Sequence, residues 1–192
     1  MTASTTFGYH AGEDRVWISC TAWPQRIWIT RRMARGIVQL VATALEKAPP
    51  GAPDADTRPP AERAAADHDA SLNRVQPGEP ARALQMGREA SDAPELASAV
   101  LCTQVDLRDD GVQAVLAFHT SAGQRPLLLS RVGLHRWLRG LHIVLGTTDW
   151  AEWAPLPDWL TRSYLPPALG ALLVVPPAAG DGGDAPAPPP GA

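Results

Sequence analysis

Apolar and polar positions alternate in two regions of the chain, and each region is followed by an apolar stripe at helical spacing. Arg15 to Thr21 alternates and is rich in β-forming residues, and Arg26 to Ile29 follows after Pro24. Short runs of this kind bounded by turn residues predict strands. Phe7 and Tyr9 place an earlier strand over residues 5–11, with Gly12-Glu13-Asp14 as the turn. Met33, Ile37, Leu40, Val41, Ala44 and Leu45 then recur with the period of a helix. Thr30 stands at its N-cap, where a hydroxyl accepts a first-turn N–H. Ala48-Pro49-Pro50-Gly51 ends it, because proline cannot donate or fit there.

The same order returns at an offset of 100 residues: Val16 to Thr21 aligns with Leu116 to Ser121, and Arg26 to Arg31 with Pro126 to Arg131. Strands are expected over Val100–Leu107, Val112–Thr120 and Arg125–Leu129. Asp109-Asp110-Gly111 and Ala122-Gly123 are the turns between them. Ser130 takes the N-cap place held by Thr30. Leu134, Trp137, Leu138, Leu141, Val144 and Leu145 form the second stripe, ending at Gly146. Two units of strand-strand-strand-helix, about residues 5–47 and 98–146, predict an α+β fold with internal pseudo-symmetry. The sheet is expected to be antiparallel, with the helices packed on one face.

Register can be read from the same pattern. If Ile18 opposes Ile27, Trp17 opposes Trp28 on the other face, since facing residues point the same way. The second unit would pair Phe118 with Leu127 and Ala117 with Leu128. One face then carries Val16, Ile18, Ile27, Ile29, Leu116, Phe118, Leu127 and Leu129 and must be the core. The other carries Trp17, Ser19, Thr21, Trp28, Ala117, His119 and Leu128, a mixed surface whose two indoles call for a cover. That cover is expected from residues 150–164, from a second copy, or from another molecule.

Composition sets the boundaries. The 20 prolines and 16 glycines cluster at residues 48–60, 77–80 and 176–192. We expect one α+β domain over residues 1–175, a flexible and weakly helical insertion at 48–94, and a disordered Pro/Gly/Ala-rich tail at 176–192. Ala61–Val75 and Ala81–Ala90 are short helix candidates within the insertion; the first has apolar anchors only at Leu72 and Val75. Asp149 to Leu173 carries Trp150, Trp153, Trp159 and Tyr164 and is expected to wrap the domain. Residues 1–8 lack a basic, apolar leader, and the Leu169–Val175 run is too short to span a bilayer, so a cytoplasmic protein without membrane contact is expected. Cys20 and Cys102 read as reduced, buried thiols.

The chain carries no catalytic, metal-ligand or phosphate-loop motif, and no cofactor or metal is expected. A net charge of −3 does not mark a general nucleic-acid binder. Arginines nevertheless gather where each strand enters its helix: Arg26, Arg31, Arg32 and Arg35 at the first junction, Arg125, Arg131, Arg136 and Arg139 at the second. Positive charge there opposes the helix dipole, so the arginines call for a partner. His135 and His142, with Arg139 between them, read as a polar helix face. His119 could meet Asp106 or Asp110 as an acid–base pair, but no nucleophile accompanies it. The leading expectation is a non-enzymatic interaction or scaffold protein that forms a homodimer or docks a protein partner. Its surface would comprise Trp17, Trp28, Arg26, Arg31, Arg32, Arg35, Arg131, Arg136, Arg139, Trp150, Trp153 and Trp159, since tryptophan and arginine dominate interface hot spots. The alternative is an anion or single-stranded nucleic-acid binding module built on the arginine junctions. An enzyme using His119 ranks last.

Overall fold

Thr30 and Ser130 start the two long helices in the same manner. The Thr30 hydroxyl accepts the Met33 N–H at 3.2 Å, and the Ser130 hydroxyl accepts the Gly133 N–H at 3.0 Å. The computed structural model describes residues 4–47, 56–74, 98–150 and 156–161. In chain order it runs β1 (Thr5–His10), a single 3-10 turn (Ala11–Glu13), β2 (Arg15–Cys20), β3 (Ile27–Ile29), α1 (Arg31–Glu46) and α2 (Pro60–Asn73). It continues β4 (Val100–Asp109), β5 (Gln113–Thr120), β6 (Gly123–Ser130), α3 (Arg131–Leu145) and α4 (Asp158–Thr161). The proposed helix at 81–90 and the tail at 176–192 lie outside the described residues. Replacing either cap hydroxyl, Thr30→Ala or Ser130→Ala, is expected to lower unfolding free energy by about 1 kcal/mol. A urea midpoint unchanged within error would count against these caps.

The fold is α+β with a six-stranded sheet ordered β1-β2-β3-β4-β5-β6. The sheet is mixed rather than antiparallel, because β4 runs parallel to β3, with Trp28 facing Leu101. The reason is topological. The chain leaves β3 through α1 and α2 before returning as β4, and such a crossover brings it back in the same direction, whereas a hairpin reverses it. The β2–β3 register places Ile18 opposite Ile27 and Trp17 opposite Trp28, as the alternation requires. The β5–β6 register is shifted by two from the expected one: Leu116 faces Leu127 and Val115 faces Leu128. Strand β6 begins at Gly123, whose positive φ closes a loop of Ser121 and Ala122. A shift of two keeps every side chain on its expected face.

The main core joins Val16, Ile18, Ile27, Ile29, Leu116, Phe118 and Leu127 to the buried stripes of α1 and α3. The α1 stripe is centred on Ala34, Ile37, Val38, Val41, Ala42 and Leu45, so Met33, Leu40 and Ala44 fall to its flanks. All six expected anchors of α3 are buried. Trp23, between β2 and β3, meets Phe118 edge-to-face and donates its indole N–H to the Pro126 carbonyl at 2.9 Å. That bond ties the first hairpin to strand β6. Asp14 closes the β1–β2 turn with φ of 48°. Its carboxylate accepts the Tyr9 hydroxyl at 2.8 Å and the Trp150 indole N–H. These two bonds hold Asp14 below the usual carboxylate range, while burial, then the Asp14 bond, push the Tyr9 phenol up to about 12. Cys20 and Cys102 are buried free thiols.

Candidate functional site

Three polar arrangements sit outside the main core: the outer sheet face, the arginines of α3, and a histidine pair between α2 and α3. On the outer face, Trp17 and Trp28 are 2% and 8% exposed and form their own small cluster, against which Ala99 packs. The Arg26 guanidinium lies 4.5 Å from the Trp17 ring centre, a cation–π contact. His10 meets the Trp28 ring edge-on. Gly8 lies directly beside the Trp17 ring, where a Cβ would fall 2.3 Å from Cζ2. The indoles are thus buried within the single chain. Trp150 and Trp159, proposed as their cover, belong instead to the main core. Trp153 lies outside the described residues.

The same face is more open across β4 to β6. Leu128 is 57% exposed and Leu101 38%. His119 Nε2 and Asp106 Oδ2 are 2.7 Å apart, and Gln104 donates to the other Asp106 oxygen at 2.9 Å. The Gln104 and His119 bonds lower the Asp106 pKa. The expected His119–Asp106 pair therefore forms, on a half-exposed sheet surface.

At the second junction the arginines act inside the protein. Arg131 donates to Asp109 Oδ2 at 3.0 Å and to the Leu45 and Lys47 carbonyls at 2.7 and 2.9 Å. It thereby caps the C-terminal end of α1, where the dipole favours a cation. Arg136 does the same for α2, donating to the carbonyls of Ser71, at 3.0 Å, and Arg74. Arg139 approaches His142 Nδ1 at 3.3 Å. At the first junction Arg31 and Arg35 are half-buried, and Arg32 is exposed.

The histidine pair was not expected. His68 and His135 are 3% and 1% exposed, with their Nδ1 atoms 3.2 Å apart. Trp159 meets both rings, at 5.2 and 6.3 Å between centres, and donates its own N–H to Glu46 at 2.9 Å. Burial pushes the imidazoles down, His68 to about 4 and His135 to about 3. His135 Nε2 is buried with no hydrogen-bond partner among the described residues. His135 also lines an open groove of about 410 Å³ with Asp67, Ser71, Arg74, Arg131 and Val132. The polar-face reading of His135 is corrected here: it turns toward α2, and only the spacing of Ala64, His68 and Ser71 on α2 hinted at the contact.

Among the described residues no cluster of His, Cys, Asp or Glu is placed to hold a metal ion, and no helix is long and apolar enough to cross a membrane. No family model, curated protein or solved structure matches the chain.

Proposed function

We propose that this protein is a non-catalytic interaction module that docks a protein surface, a second copy or another chain, through the outer face of its sheet. The supporting observation is the exposure of Leu128 and Leu101 on that face, beside the polar His119–Asp106 pair. Leu128 pairs with Val115 and Leu101 with Trp28, and the His119–Asp106 pair lies between them. The face therefore offers exposed apolar side chains on either side of a polar pair, a mixture of apolar and polar groups that protein interfaces share. Trp17 and Trp28 lie on the same face but are not taken as anchors, since each is consumed in intrachain packing. The two βββα halves read as copies of one unit, a reading supported by their matching Thr30 and Ser130 caps, with the helices held to the opposite face. The anion reading is not carried forward, because Arg131 and Arg136 are engaged by Asp109 and by helix carbonyls.

Leu128→Asp is the direct test, because the side chain is exposed and its loss leaves the core intact. Light scattering after size exclusion should show wild-type association that falls with dilution, and a monomeric variant. If another chain is the partner, the variant should lose it on co-purification from the host. A wild type that stays monomeric, together with an unchanged set of co-purifying proteins, would remove the proposal.

A further inference from the structure

We propose that the His68–His135 contact is an acid-sensitive latch that holds α2 on α3, and that its protonation releases α2 while the sheet, α1 and α3 remain folded. The proposal is independent of the interaction surface. It rests first on the way α2 is attached. Its buried residues are Ala64, His68 and Ser71, so it has little apolar area to contribute. Its other ties include the Nδ1···Nδ1 contact, the edge contact of Trp159 with the His68 ring, the packing of Ala65 on the core, and the Arg136 bonds to the Ser71 and Arg74 carbonyls. The rest of the fold stands on the large apolar core between the sheet and the two long helices.

The contact holds one hydrogen between the two Nδ1 atoms and fails when both rings are charged. Between two neutral rings a single hydrogen is shared, one Nδ1 donating and the other accepting. The first added proton goes to the free Nε2 of the donating ring and places a charge in a buried contact; once both rings are charged, two N–H groups face each other at 3.2 Å. The surroundings offer little relief. Asp69 of α2 favours a charged His68, while Arg139 and His142 of α3 oppose it. On His135, the neighbouring His68 and Arg131 both oppose charge. Asp67 lines the groove with His135, Asp158 opens α4, and the Glu46 carboxylate of α1 is taken by the Trp159 indole. Burial outweighs Asp69 and keeps both rings neutral in the closed state.

The sign follows from linkage. A released pair returns toward the ordinary histidine pKa of about 6.5. The closed pair titrates only near 4 and 3, so between these limits the open state binds more protons. Closure is complete above about pH 6.5 and is lost as pH falls below it. From about pH 7 to about pH 5 the opening equilibrium should rise about 20-fold per histidine, on the order of 500-fold for both.

Hydrogen exchange read by mass spectrometry, corrected for intrinsic rates, tests this on the wild-type chain. Amides of residues 60–73 should lose protection between about pH 7 and about pH 5 while those of 113–120 keep theirs. Protection of 60–73 that persists, or that disappears together with β5, would overturn the latch. The double variant His68→Leu/His135→Leu, which leaves nothing to titrate, should hold α2 closed at the lower pH. If it opens there as the wild type does, the histidines are not the latch.

Discussion

Gly8→Ala is expected to destabilise the protein by about 2 kcal/mol, and Gly8→Val by about 3 kcal/mol or more, from overpacking a filled site. The sign is what makes the result informative. In a strand interior, replacing glycine by alanine ordinarily stabilises by about 0.5–1 kcal/mol, because glycine loses more backbone freedom on folding. At Gly8 a Cβ would come within 2.6 Å of three atoms of the Trp17 indole. That ring is 2% exposed and is held by the Arg26 guanidinium, so it has nowhere to retreat. Either β1 peels from β2 or the indole leaves its site. A double-mutant cycle isolates the cause. Trp17→Ala alone should cost about 3–5 kcal/mol. In that background Gly8→Ala should become neutral or mildly stabilising, giving a coupling of about 2 kcal/mol. Urea unfolding followed by far-UV circular dichroism measures all four corners. A Gly8→Ala variant as stable as the wild type would show that the ring does not lie over Gly8, and the outer face near Trp17 would again be available to a partner.

Some of this was legible in the chain and some was not, and the division follows the range of the interaction. The strands, both long helices and their caps are set by neighbours in sequence: alternation, a hydroxyl before an apolar stripe, Gly or Pro after it. The two faces of the sheet followed from parity alone, which is why a register error of two at β5–β6 did no harm. The parallel join of β3 to β4 could not be read this way, because nothing local says which way a strand returns after a long crossover. Helix α2 was legible as an alanine-rich helix candidate over Ala61–Val75, but its docking was not. Its docking depends on His68 meeting a ring 67 positions later. His135 was misread because a histidine seven residues before another looks like one polar stripe, and the contact that buries it lies on a different helix. The His119–Asp106 pair, by contrast, lies on adjacent strands of one hairpin, and Asp106 was one of the two partners, with Asp110, that the sequence pattern offered.

Arg131 shows the same division with a large energy attached. Arg131→Met is expected to cost about 3 kcal/mol, the lower end of the range for breaking a buried ion pair. Read alone, its place in the first turn of α3 is unfavourable by about 0.3–1 kcal/mol through the helix dipole. That term is outweighed by hydrogen bonds from a charged donor, worth about 1.5–3 kcal/mol each. Three such bonds reach Asp109 and the carbonyls of Leu45 and Lys47. The Arg131 and Asp109 side chains are 15% and 13% exposed, so solvent replaces little of what is lost and salt should screen it weakly. Removing the guanidinium also leaves the Asp109 carboxylate without its cation. Asp109→Asn should cost less, since Arg131 keeps both carbonyls. In the double variant Arg131→Met/Asp109→Leu the Asp109 charge no longer needs a cation, and part of the stability should return. Arg32→Ala, at an exposed position of the first junction, should change stability by less than about 0.5 kcal/mol. Hydrogen exchange at the last turn of α1 should rise in Arg131→Met and not in Arg32→Ala. If both substitutions cost the same small amount, Arg131 is not the clamp joining α3 to β4 and the end of α1, and its guanidinium becomes available for an external anion.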